Sequence, residues 1–298
     1  GKVSRAEELT LPSPNIVPER MAKIAVGRAM FAAGKELFGH IPPWGILTGV
    51  RPSKVATELI EAGNGILRSK RILRDEYFLN PQKAALVVSV ANTEMQLTKK
   101  LPKNLCSIYI SIPFCPSRCA YCSFVSYTSG KLLSLIDDYL VKLYADLENM
   151  VGIIRDLGQT IATVYIGGGT PTVLSAAQLD TLLGKIGELI DVPSLMEFTL
   201  ESGRPDTITE EKLAIAKAHG VTRISVNPQT LSDEILEAIG RRHTVADFYR
   251  AYEMAERSGI RDINVDLIVG LPGDTFSQFA RTIDEIVDLN PSNITVHT

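Results

Sequence analysis

Cysteine is rare in this 298-residue sequence: it has four. So few in so long a chain do not make a disulfide framework, and they point to a reducing compartment, the cytoplasm. Long apolar runs are also missing, so no segment reads as a transmembrane helix and no membrane partner is expected. The opening stretch "GKVSRAEELTLPSPN" is polar and lacks the apolar centre of a secretory signal. Nor is there an excess of one charge: 31 Lys and Arg face 34 Asp and Glu, a net charge of −3. That balance argues against nucleic acid as a partner. The one basic cluster, "RSKRILRDE" at 68–76, ends in acids and reads as a solvated helix face. There is no internal repeat and no low-complexity tract.

What remains is ordinary globular material, 45% hydrophobic and 22% charged, enough for one large domain or two modest ones. Residues 1–104 read as a helical N-terminal region. "VPERMAKIAVGRAMFAAGKELFG" sets Met21, Ile24, Ala25 and Ala29 on one helical face, with Gly39 to stop it. In "TGVRPSKVATELIEAG", Pro52 suits a first turn and Gly63 a C-terminal cap. Asn80 reads as an N-cap ahead of Pro81. Trp44 reads as core.

From 105 to 298 the pattern changes. Short β-branched runs recur: "SIYISI", "TVYIG", "MEFTLE", "RISVN", "INVDLIVG" and "NITVHT". Amphipathic stretches separate them, which predicts a parallel α/β sheet with right-handed crossovers. Either an open doubly wound sheet or most of a barrel would satisfy this. Strand after strand ends in polar or glycine-rich residues: Cys115, Gly167 to Thr170, Glu201, Gln229 and Asp266. A barrel gathers such ends at one mouth, which favours a partial TIM-like (β/α)6 barrel. The chain ends on the sixth strand and begins without methionine, so it reads as a piece lacking a C-terminal part and cut at its start.

Three of the four cysteines crowd into "FCPSRCAYCSF" at 114–124, spaced C-x3-C-x2-C directly after a strand. Packed core thiols, a zinc site and an iron–sulfur cluster compete as readings. Pro116, Ser117 and Arg118 make a loop and not a buried helix face. Zinc prefers four protein ligands, and the remaining cysteine, Cys106, begins the preceding strand. At ~3.3 Å per residue it lies about 20 Å away. Three thiolates suit a four-iron, four-sulfide cluster and leave one iron open. The second signal, "VYIGGGTPT", reads as a tight turn before a helix with Thr170 or Thr172 as cap, or as backbone held close to a ligand.

Cys115, Cys119 and Cys122, with Tyr121 before the last, resemble the signature of the radical S-adenosylmethionine (SAM) superfamily. "SIYISIPFC", "GGGTP", "ESGRPD", "RISVNPQTL" with "IGRRHT", and "VDLIVGLPGD" resemble, in order and spacing, the oxygen-independent coproporphyrinogen III oxidase (dehydrogenase) family over residues 106–298. "GILTGVRPSK" with "ESGRPDTIT" is similar to its HemZ-type members, which carry an extra helical region. The resemblance implies a 4Fe–4S cluster on the three cysteines and SAM on its open iron. It implies Tyr109 and Tyr121 beside both, and Gly168, Gly169 and Thr170 at the methionine part of SAM. Glu201, Gln229, Arg241 and Asp266 match the family's polar SAM-binding positions. Arg241 is expected to fork onto the SAM carboxylate. The resemblance further implies a tetrapyrrole substrate, propionate-to-vinyl oxidative decarboxylation, and a reducing donor such as flavodoxin or ferredoxin. Two positions depart from the decarboxylating pattern: Ser111 where that branch has histidine, and Phe124 where it has a fourth cysteine. A heme chaperone on the same scaffold, a radical SAM enzyme with another substrate, and a zinc-stabilised barrel are the rival readings. His40, His219, His243 and His297 are scattered and read as structural, His297 being the best exception because it sits near the predicted mouth.

Overall fold

The computed structural model describes residues 3–7, 18–49 and 51–298. Most of the polar opening stretch, and Val50 within "GILTGVRPSK", lie outside the described residues. The chain divides into two compact units, residues 1–102 and 103–298.

The first unit is helical: α1 (Pro18–Phe38), α2 (Ser53–Leu59), α3 (Gly65–Asp75) and α4 (Pro81–Thr98). Local signals set their limits. Gly39 takes φ +64° just past α1 and donates its N–H to Lys35. Pro52 stands at the N-cap of α2, one residue ahead of the first turn. Gly63, at φ 84°, breaks the helix between α2 and α3. Asn80 caps α4 by accepting from the Lys83 N–H at 2.7 Å. The small core holds Leu73, Tyr77, Leu79, Val87 and Val88, with Trp44 and Ile24 against it.

The second unit alternates strand and helix. Its order is β1 (Leu105–Ile112), α5 (Gly130–Leu133), α6 (Ile136–Asp156), β2 (Thr160–Gly168) and α7 (Ala176–Leu189). There follow β3 (Glu197–Leu200), α8 (Glu210–Ala218), β4 (Arg223–Ser225), α9 (Asp233–Ala238) and α10 (Val245–Arg257). The chain closes with β5 (Asp262–Ile268), α11 (Phe276–Asp288) and β6 (Asn293–His297). Each strand lies parallel beside its chain neighbour, in the order β1-β2-β3-β4-β5-β6. A doubly wound sheet would reverse direction partway. This sheet does not, which settles the choice in favour of a partial barrel.

Two-residue periodicity gives the sheet two different faces. On β1 and β2, Ile108, Ile110, Ile112, Val164 and Ile166 point to the helices and are buried with Leu183, Ile186 and Phe198. Each such side chain fully buried contributes ~1.5–3 kcal/mol. The alternate residues, Ser107, Tyr109, Ser111, Thr163 and Tyr165, line a cavity of about 820 Å³ on the other face. Capping boxes start α7 (Ser175 with Gln178), α10 (Thr244 with Asp247) and α11 (Thr275 with Gln278). They fix where each helix leaves its loop, and so where each loop crosses the sheet's carboxyl edge.

Candidate cofactor site at the carboxyl ends of the strands

Backbone bonds between neighbouring strand ends build the site's floor. Gly169 N–H donates to Ile112 O and Thr170 N–H to Phe114 O, both at 2.8 Å. The glycine turn after β2 is thereby stitched to the entrance of the cysteine loop. Nothing larger fits there. A Cβ on Gly169 would stand 2.6 Å from Phe114 O and 2.9 Å from Cys115 Sγ. Gly168 takes φ +105°, and a Cβ there would meet Ser111 Oγ at 2.7 Å.

The loop itself is held at both ends. Cys115 N–H donates to Tyr127 O, and Tyr127 N–H returns to Pro113 O. At the far side Ala120 N–H donates to Ile239 O at 2.9 Å, and Ser117 Oγ donates to Gly240 O at 3.0 Å. The turn after α9 therefore anchors the loop, and "IGRRHT" gains a structural reason. Gly240 has φ +76°, and a Cβ on it would press within 3.2 Å of Arg118 O.

Cys115, Cys119 and Cys122 line one cavity of about 430 Å³, with Tyr121, Gly168, Gly169, Thr170, Glu201, Gln229, Arg241 and Asp266. Cys115 and Cys119 are buried and Cys122 is half-buried. Cys106 pairs in register with Ile161 at the opposite end of β1, remote from this mouth. Among the described residues no three of His, Cys, Asp and Glu gather tightly enough to hold a single metal ion. A four-iron cluster gives each cysteine its own iron, so its thiolates need not converge on one point. The donor set, three thiols with no histidine or carboxylate bonded to them, fits such a cluster.

The thiols differ in their surroundings. Burial pushes the Cys115 thiol up, while the Thr170 hydroxyl, 3.3 Å from its sulfur, and the Arg204 guanidinium pull it down. Thr170 stands at the N-cap of the short 3-10 turn Pro171–Val173, but its side chain turns to Cys115 and makes no cap bond. Ser175 caps α7 instead, and the Thr172 hydroxyl bonds Thr207 at 2.7 Å. Cys119 Sγ accepts from Arg204 Nη1 at 3.5 Å. Tyr121 hydrogen-bonds Cys119 and accepts from Arg241 Nη2 at 3.0 Å; burial drives its phenol up to about 12. The rest of Arg241 holds backbone: Nη1 donates to Gly203 O at 3.0 Å and Asn227 O at 2.9 Å.

Carboxylates form the opposite side. Glu201 is raised to about 7, first by burial and then by Asp266, against hydrogen bonds from the Gly168 N–H and Tyr165. Asp266 accepts from Asn227 Nδ2 at 2.8 Å and Asn264 Nδ2 at 2.7 Å. Amides orient it without neutralising it. Gln229 sits at φ 70°, locked there by its N–H to Asp266 O and by Ile268 N–H to its own O. Its side-chain Oε1 is buried without a partner. An orphaned acceptor and a left-handed backbone are costs that a bound donor would offset.

All the residues singled out from sequence meet here except Tyr109, which lies in the adjoining larger cavity. There it stacks on Tyr165 at 5.6 Å. The two cavities share Phe124, Gly168 and Glu201. His297 lines the smaller cavity, its Nε2 3.9 Å from Asp266. Of the other histidines, His40 is exposed, His219 pairs with Asp180 at 2.7 Å, and His243 is fully buried. Sequence reasoning missed Arg204, Asn227 and Asn264, which hold the named residues in place. Asn227 stood in the open, at the end of the "RISVN" run.

Comparison with known proteins places this geometry. Residues 109–286 match the model of the radical SAM superfamily. The chain is 37% identical over 263 residues to the oxygen-independent coproporphyrinogen-III oxidase-like protein HemZ of Bacillus subtilis, covering 87% of this chain and 52% of that one. It is 38% identical over 194 residues to the heme chaperone HemW of the same organism, covering 64% of this chain and 50% of that one. It thus spans about half the length of these relatives. Among solved structures it is similar to the coproporphyrinogen III oxidase HemN of Escherichia coli, described as a radical SAM enzyme. There the TM-score is 0.58 at 25% identity, over 70% of this chain and 47% of that one.

Proposed function

Because this chain belongs to the radical SAM superfamily, whose members use a 4Fe–4S cluster and SAM, we propose that it is an oxidoreductase of the coproporphyrinogen dehydrogenase type. The observation that carries the reading is one cavity lined by three cysteine thiols, a glycine turn and two half-buried carboxylates. In this reading Cys115, Cys119 and Cys122 hold the cluster. Gly168, Gly169 and Thr170, whose N–H groups are bonded to Glu201, Ile112 and Phe114, offer carbonyl groups to the methionine part of SAM, and Gln229 offers its side-chain amide to SAM. When bound, the pair supplies one-electron, hydrogen-abstracting chemistry.

The chain's own residues do the rest. Glu201 and Asp266 place negative charge where a sulfonium, an ammonium or ribose hydroxyls would sit. Tyr121, tied to Arg241, closes the cavity beside Cys119. Arg241 reaches a SAM carboxylate only through the part of its guanidinium not already bonded to Gly203, Asn227 and Tyr121. The larger cavity, walled by the Tyr109–Tyr165 stack, takes the substrate, a tetrapyrrole. Each propionate would lose one hydrogen atom to the abstracting chemistry that SAM supplies, then carbon dioxide and one electron to an external one-electron acceptor, to become a vinyl group. A flavodoxin or ferredoxin serves as reductant, and the compartment is the cytoplasm. Among the described residues no helix is long and apolar enough to cross a membrane. The helical region 1–104 is a domain of its own in this reading.

A second reading, a heme chaperone on the same scaffold, has Phe124 in its favour, since the decarboxylating pattern has a fourth cysteine there. One experiment separates the two. The protein is reconstituted with iron and sulfide without oxygen, then given SAM and dithionite with and without coproporphyrinogen. Production of 5′-deoxyadenosine that rises with coproporphyrinogen and yields vinyl product supports the enzyme. Heme binding and transfer without turnover supports the chaperone. Uptake of about one zinc and no sulfide ends both.

A further inference from the structure

We propose that Arg204 is a positioning residue that acts through Cys119 and sets the reduction potential of the cluster. The proposal rests on the reading above. Arg204 is 4% exposed, in the loop after β3, yet its guanidinium faces the cysteine loop. Nη1 lies 3.5 Å from Cys119 Sγ and 3.4 Å from Ser117 O, and Nη2 donates to Ser117 Oγ at 2.9 Å. On its other side it meets one carboxylate, Asp206, at 3.2 Å from Nε and 3.5 Å from Nη2. That carboxylate is itself 22% exposed.

Burying a guanidinium is costly unless opposite charge and acceptors surround it. Asp206 supplies one charge from the more open side. The inner side faces a sulfur. A neutral thiol is a weak acceptor, whereas a thiolate holding iron is an anion and a strong one. Three thiolates on a cluster give a net negative assembly, which becomes more negative on reduction. A buried cation with hydrogen bonds to a ligand sulfur favours the reduced form and raises the potential. A second cation, Arg241, reaches the same sulfur through the Tyr121 hydroxyl. Both cations are thus linked to Cys119 by hydrogen bonds, whereas Cys115 is bonded to the Thr170 hydroxyl and feels Arg204 through space alone.

The test compares the reconstituted protein with its Arg204→Gln, Arg204→Lys and Asp206→Asn variants. Iron and sulfide per chain are measured, folding is checked by circular dichroism, and the midpoint potential is read by spectroelectrochemical titration. Arg204→Gln is expected to hold a full cluster at a lower potential. Arg204→Lys should fall between it and the parent protein, and Asp206→Asn should move the potential up. A loaded Arg204→Gln variant at the parent potential overturns the proposal. Should that variant not load, parent potentials in both other variants overturn it. If all three fold but none holds a cluster, the group merely fastens the loop and the proposal falls. A parent protein that takes up no cluster overturns the reading on which the proposal rests, and the proposal with it.

Discussion

The two walls of the cysteine cavity carry opposite charge. One wall, the cysteine loop and its support, has the buried cations Arg204 and Arg241. The other has Glu201 and Asp266, close enough that Asp266 helps push Glu201 up to about 7. Arg204 meets Cys119 Sγ on one side and Asp206 on the other, and Arg241 meets two backbone carbonyls and Tyr121. The carboxylates stand near each other with amides, a tyrosine, a backbone N–H and, at 3.9 Å, His297 beside them. Keeping the cations and the carboxylates apart across a cavity suits two guests of opposite charge, an anionic cluster and a cationic nucleotide.

Four substitutions or conditions break this contrast, in falling order of effect. Cys119→Ala removes the sulfur at the centre of the cationic wall. It should abolish the brown colour and SAM cleavage, while circular dichroism stays close to that of the parent. Retained colour and activity would refute the ligand assignment. Gly169→Ala forces a methyl against Phe114 O and Cys115 Sγ, where backbone cannot yield. Cluster content should fall severalfold and stability by ~1–3 kcal/mol, read from iron analysis and urea unfolding.

Asp266→Asn tests the anionic wall alone. SAM affinity should weaken about tenfold, ~1.4 kcal/mol, with iron content unchanged, as calorimetry would show. Equal affinity would make Asp266 purely structural. The mildest perturbation is pH. Glu201 is lifted from 4.5 to about 7, so the folded protein holds a proton there that the unfolded chain releases. Its contribution to stability is complete below pH 4.5 and is lost as pH rises through 7. A cationic ligand needs the ionised form, so SAM affinity should rise about tenfold between pH 6 and 8. Glu201→Gln should flatten that slope, and an unaltered slope would assign it to another group.

The anionic wall was legible in sequence, and the cationic wall only in part. Asp266 lies inside the apolar run "NVDLIVG", where a charge stands out, and Glu201 closes a strand. Cys115, Cys119 and Cys122 advertise themselves by spacing. The six strands were visible as β-branched runs because parallel strands need such residues. Their ends were less clear: "RISVN" yields only Arg223–Ser225 as strand. After Ser225 the Val226 N–H turns to Asn264 O, and the Gln229 N–H to Asp266 O. Arg204 carried no comparable signal. It sits in an aperiodic loop, and its meaning depends on Cys119, 85 positions away. The partners of Arg241 were hidden in the same way, since Gly203 and Asn227 meet it through backbone carbonyls that no side-chain pattern reveals. Six-residue α9, too short for a periodicity, went unseen although its end anchors the cysteine loop.

The strand order has a consequence for the birth of the molecule. With every strand beside its predecessor, the sheet can grow from one edge as the chain leaves the ribosome, each new unit docking on a finished template. The cysteine loop cannot settle on that schedule. Its far anchors, Ile239 and Gly240, are made more than a hundred residues later. Until then the loop is held only at its near end, by Tyr127 and the Gly169–Thr170 turn. The order of synthesis thus completes its support only after β4 and the turn after α9 have been made.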